Sequence, residues 1–98
     1  MEKIRVTIFN ENCHDKEECV KRVYPNGLHG AIKEALEADG RFDVTLALQD
    51  MPGCGLSDEV LNSTDVLFWW GHMKHHEVPD DVVNRVHARV LAGMGMVV

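Results

Sequence analysis

The chain has 98 residues, 45% of them hydrophobic and 27% charged, which is a near-average globular composition with room for one domain and one core. Its net charge of −6 and scattered basic residues exclude the clustered positive surface that a phosphate backbone requires, so nucleic acid is not an expected partner. No run reaches membrane-spanning length, the first ten residues lack a signal peptide's apolar core, and three cysteines without CxxC spacing suit reduced thiols, so no membrane association and a cytoplasmic location are expected.

Lys3 to Phe9 alternates Ile4, Val6 and Ile8 with Arg5, Thr7 and Phe9 and reads as the first strand, ending at Asn10-Glu11-Asn12. Asp15 to Val23 has room for a short helical turn, and Tyr24-Pro25-Asn26-Gly27 carries a turn signal. Leu28 to Ala38 places Leu28, Ala31, Ile32, Ala35 and Leu36 at helical spacing, with Gly40 as the C-terminal stop.

Arg41 to Leu48 alternates Phe42, Val44, Leu46 and Leu48 with polar residues and forms the second strand. Met51 to Gly55 is a loop, and Ser57 caps a short helix through Leu61. Asp65 to Trp70 is a continuous apolar run, which predicts a third strand covered on both faces. Pro79 opens a helix with Asp80 and Asp81 in its first turn and a buried stripe of Val82, Val83, Val86, Val90 and Leu91. Met94 to Val98 begins a fourth strand.

Strands alternating with helices predict an α/β fold, a doubly wound parallel sheet; with a flavodoxin-like order of 2-1-3-4, strands 1 and 3 are neighbours across the point where strand order reverses. Such sheets carry at least five strands, so residues 1–98 are expected to be a single α/β domain truncated after about four strands, the amino-terminal part of a larger domain. An exposed strand edge and an uncovered apolar face would then favour association, and a homo-oligomer is an expected partner state.

Ligands of open parallel sheets bind beyond the carboxyl ends of the strands, at the point where strand order reverses. Asn10, Glu11 and His14 leave the first strand at that end; Gly71, His72, His75 and His76 leave the third. Convergence would deliver two or three imidazoles, from His14, His72 and His75, and one carboxylate into one crevice, a ligand set suited to zinc or another late first-row divalent metal. The competing readings are plain: a loop histidine often only hydrogen-bonds the backbone, and Glu11 is a ligand, a general base or a charge at a loop entrance. His29 and His87 fall on helices, where a packed or solvated ring is the default, and Glu77 equally suits a helix cap. Trp69 and Trp70 point to opposite faces, so one packs beneath a helix while the other approaches the crevice and can stack on a sugar. Cys13, beside His14, is either a thiolate or, by the default for its type, a small buried thiol. No phosphate loop, dinucleotide fingerprint or GxSxG elbow is present.

The segments Val6-Thr7-Ile8-Phe9-Asn10-Glu11 with His14, Tyr24-Pro25-Asn26-Gly27-Leu28-His29, Asp65 to His75 with its tryptophan pair, and Val90 to Gly95 resemble the ThuA-like (trehalose utilisation) family over nearly the whole chain. The resemblance implies a class I glutamine amidotransferase-like, flavodoxin-like fold, a role in trehalose and related disaccharide metabolism, and 3-keto sugars as the substrate class. It places Asn10, Glu11, His14, Trp70, His72 and His75 near the family's pocket, and His29 at a family histidine without an assigned role. Family members are over twice this length, and the serine and histidine residues that continue the pocket beyond the fourth strand are missing here.

The expected activity is metal-assisted isomerisation or hydrolysis of a keto sugar. Glu11, His14 and His72 would be catalytic, Asn10 and Trp70 substrate-binding, and His14, His72 and His75 metal ligands. The alternatives are a noncatalytic carbohydrate-binding or regulatory module using the same crevice, and a piece that works only with the remainder of the fold or with another copy.

Overall fold

The computed structural model describes residues 3–13 and 16–98, with only the backbone at His75. Four strands, β1 (Ile4–Asn10), β2 (Phe42–Leu48), β3 (Val66–Trp70) and β4 (Gly95–Val97), form one sheet in the order β2-β1-β3-β4. All three pairings are parallel. The helices are α1 (Glu18–Val23), α2 (Gly27–Asp39), α3 (Asp58–Asn62) and α4 (Asp80–Leu91). This is the flavodoxin-like α/β arrangement expected from the alternation of strand and helix, and none of its described helices is long and apolar enough to cross a membrane.

The local signals act where the sequence places them. Gly40 ends α2 in the left-handed conformation at φ 85°. Ser57 Oγ accepts from Val60 N at 3.2 Å and caps α3. Pro79 precedes α4 in extended backbone, and among the described residues no side-chain cap is made there. Residues 51–55, expected as a loop, contain a 3-10 turn at Pro52–Gly55 in which Gly53 and Cys54 both have positive φ.

Because β1 has a strand on each side and helices over each face, Val6 to Asn10 are buried without a break. Register decides which side chains share a face. Phe9 is level with Ala47 and Trp69, and these join Leu67, Leu61, Val82 and Val86 in the core beneath α3 and α4. Phe9 and Trp69 stack with ring centroids 4.0 Å apart. Ile8 and Asn10 necessarily face the opposite side, where α2 packs on β1 and β2. One polar contact is sealed within the core: Thr64 Oγ1 donates to Val60 O at 2.7 Å, so Thr7 Oγ1, 2.6 Å away, donates to Thr64.

Two expected coverings are only partial. Val82 and Val86 are buried, but Val83, Val90 and Leu91 of the α4 stripe are exposed. Within β3 only Leu67 is fully buried, while Trp70 is exposed. An apolar pattern marks what can be buried; whether another element lies over it is a matter of packing. Among the described residues, Val83, Val90, Trp69 and Met96 instead line an open apolar hollow.

Candidate functional site

The carboxyl ends of the three inner-rim strands are level, since Asn10 pairs in register with Leu48 on one side and Trp70 on the other. The ladders continue one residue further: Gln49 N donates to Asn10 O at 3.0 Å and Glu11 N to Trp70 O at 3.2 Å. Strand order reverses about β1, so this rim is the switch point of the sheet. A period of two then sends the adjacent side chains of Asn10 and Glu11 to opposite sides. The rim is thereby divided.

On the α2 side, Asn10 is 1% exposed. Its Oδ1 accepts from Asn12 N at 2.9 Å and its Nδ2 lies 2.9 Å from His29 Nδ1. The loop turns back for this contact through Asn12, whose φ is 58°. Trp70, in register with Asn10, is 42% exposed and lies stacked with His72 at a centroid distance of 6.4 Å. With Val23, Tyr24 and Leu28 they line a hollow of about 430 Å³ whose walls are almost wholly apolar.

On the opposite side, Glu11 is 3% exposed. Its Oε1 accepts from Met73 N and its Oε2 from Lys74 N, each at 2.9 Å. A buried carboxylate is tolerable only with such partners, and charge-assisted bonds of this kind are about twice as strong as neutral ones. Gln49 Nε2 donates to Lys74 O at 2.7 Å, so strands β1 and β2 both hold the loop that leaves β3. Glu11, Gln49, Lys16, Asp50, Lys74 and Glu77 contribute to a polar cleft of about 290 Å³. Asp50 accepts from Asn12 Nδ2 and Lys16 Nζ, each at 3.3 Å, and its carboxyl is held below the usual range against the opposing effect of burial.

The structure therefore brings Asn10, Glu11, Trp70 and His72 to one rim, with Glu11 on the other side of the sheet from Trp70. His14 lies outside the described residues. His75 begins a 3-10 turn, His75–Glu77, one residue beyond the gripped peptide of Lys74, and its side chain is likewise outside them. Among the described residues no group of three or more His, Cys, Asp or Glu side chains is placed to hold a metal ion. Cys13, expected to be buried, is half-exposed in the polar cleft because its loop has left the sheet; Cys54 is the buried thiol, and burial pushes its pKa up.

Two participants lie outside the expectations from the sequence. Gln49 stands directly after β2, level with the residue after Asn10, and a polar side chain at a strand's carboxyl end is its available signal. Tyr24 belongs to a segment that signals only a turn. His29, marked by the family resemblance without a role, contacts Asn10, 19 positions away in the chain.

A family model described as ThuA, trehalose utilisation, matches residues 5–98. No curated protein matches the chain.

Proposed function

This chain belongs to the ThuA, trehalose utilisation, family, and from that premise we propose that it acts on a keto sugar derived from a disaccharide, by isomerisation or hydrolysis, at the carboxyl rim of its sheet. The observation that carries this reading is the grip of Glu11 on the N–H groups of Met73 and Lys74, the two residues between His72 and His75. A loop held in this way keeps His72 in place beside Trp70 before a ligand arrives, which is what proton transfer between positioned groups needs.

In this reading Trp70 offers its exposed face to the apolar side of a sugar ring, and His72, stacked beside it, moves a proton at a carbonyl or hydroxyl. Glu11 holds the loop; His14, from the β1 side, belongs to the same proposed catalytic set. The proposal includes a divalent ion, zinc or another late first-row metal that imidazole suits, on His72 with His14 and His75. When bound, it would polarise the sugar carbonyl. Three free cysteines support the cytoplasm as its compartment, and the exposed Leu91 and Val97 support association with a second copy.

Turnover of a 3-keto-disaccharide by the purified chain, lost in His72→Ala, is the expected result. Elemental analysis tests the metal separately: content unchanged in both His14→Ala and His72→Ala removes the ion from the reading. One observation favours a second reading, a noncatalytic carbohydrate-binding module: both Glu11 carboxylate oxygens are engaged by backbone, beside a hollow suited to stacking. Sugar binding without turnover would select it.

A further inference from the structure

The hollow of about 430 Å³ beside Trp70 and His72 is large enough for a small-molecule site, and its walls are almost wholly apolar. Trp70 and His72 supply one side, their rings within 23° of parallel. Cys19, Val20 and Val23 of α1 supply another, with Tyr24 and Leu28. These three α1 residues fall at i, i+1 and i+4, one side of a helix, yet α1 has no buried residue, and Val23 and Tyr24 are 68% and 39% exposed. An apolar helical stripe that lines a hollow in this way is covered only when something apolar fills the space beside it.

The position of the hollow says what that group is joined to. Trp70 and His72 belong both to its walls and to the proposed reaction site, so a group entering it is attached to the ring that reacts at His72. In a keto-glycoside that group is the aglycone, held through the glycosidic oxygen. A second sugar ring in this place would press hydroxyls against hydrocarbon, where they give up water and gain no partner. A flat apolar ring carries no such cost and stacks on aromatic faces.

We propose that the hollow is an aglycone subsite that selects an aromatic group over a second sugar, so that a 3-keto-glycoside of a phenol is bound in preference to a 3-keto-disaccharide. The reacting half of this ligand rests on the keto-sugar reading; the apolar half rests on the walls of the hollow. The keto ring lies at the edge formed by Trp70 and His72, and the aromatic ring lies against Val20, Val23 and Tyr24.

Two measurements on the full chain test this. Phenol alone, titrated into nitrogen-15-labelled protein, should shift the amide resonances of Val20, Val23 and Tyr24 and the indole N–H of Trp70. Phenyl 3-keto-glucoside should bind with a Kd about tenfold below that of a 3-keto-disaccharide, the difference made by burying one apolar ring. Val23→Ser and Tyr24→Ser, both at exposed positions, should each raise the Kd for the phenyl ketoside about fivefold and raise that for the disaccharide less.

Equal affinity for the two ketosides, or tighter binding of the disaccharide, overturns the inference. So does a preference that survives undiminished in both serine variants, because the aromatic group then lies elsewhere. Phenol shifts that miss the hollow overturn it as well. If the wild type binds neither ketoside, the keto-sugar reading falls, and the phenol shifts alone decide the apolar subsite: at the hollow they keep it, and their absence removes it. If a serine variant does not fold, the wild-type ratio and the phenol shifts decide.

Discussion

Gln49 and Lys74, 25 positions apart, meet across the rim where the Gln49 Nε2 donates to the Lys74 carbonyl at 2.7 Å. Glu11 takes the N–H of the same residue, so Lys74 is gripped through both its backbone groups, from β2 and from β1. Its preceding histidine segment is positioned by strands that it does not itself belong to. Gln49→Leu removes one neutral bond, and among the described residues the buried Gln49 Oε1 has no partner to lose. The expected destabilisation is about 0.5–1.5 kcal/mol, read as a shift in urea midpoint.

Glu11→Gln should cost more, although it is nearly isosteric. A glutamine oxygen can satisfy one of the two N–H groups, but its amide hydrogens then confront the other, leaving a buried donor unsatisfied at about 1–3 kcal/mol. Faster hydrogen exchange confined to Met73 and Lys74 would show the released loop directly. Loss of turnover in this variant would therefore follow from loop release even with no proton transfer by Glu11. Unchanged exchange at both amides would contradict the clamp.

Gly27 and Gly40 make a controlled pair. Both have φ in the left-handed region, 81° and 85°, so alanine at either costs about 1–2 kcal/mol of backbone strain. Gly40 has nothing within 4 Å of an added Cβ, whereas Gly27 has the His29 ring. Both variants should lose stability, but only Gly27→Ala should shift the His29 nitrogen resonances.

Acid sensitivity should come in part from the other end of the sheet. Arg5 Nη2 and Nε bond the two oxygens of Asp65 at 2.9 and 3.1 Å and Arg5 N adds a bond at 2.8 Å, holding its pKa at about 2, against an ordinary 3.8. A carboxyl with a depressed folded-state pKa contributes stability above its unfolded value and loses it as pH falls through the folded one. The thermal midpoints of wild type and Asp65→Asn should thus differ at pH 6 and converge as pH falls from about 4 towards 2. The pair is exposed, so the difference should be small and shrink with added salt.

Much of the architecture was legible because it depends on local or topological rules. Alternating apolar residues mark β1 and β2, Gly40 and Ser57 mark helix ends, and the strand-helix alternation marks a parallel sheet, whose order is β2-β1-β3-β4. That order alone delivers Asn10, Glu11 and His72 to one rim. The opposite facing of Trp69 and Trp70 follows from the strand period, and the stacking of Trp69 on Phe9 agrees with it.

The amino-acid sequence by itself determined which segments become strands and helices, and which residues emerge at the carboxyl end of the sheet. Only the tertiary structure decided what those residues do there: that Glu11 grips Met73 and Lys74, 62 and 63 positions away, and that Asn10 turns its amide to His29. It also decided that Val83 and Leu91, apolar and correctly spaced, stay uncovered. Periodicity records the face a side chain takes, which is a property of the backbone repeat. A hydrogen bond depends on distances of a few tenths of an ångström between remote segments, and those exist only once the sheet has brought the segments together.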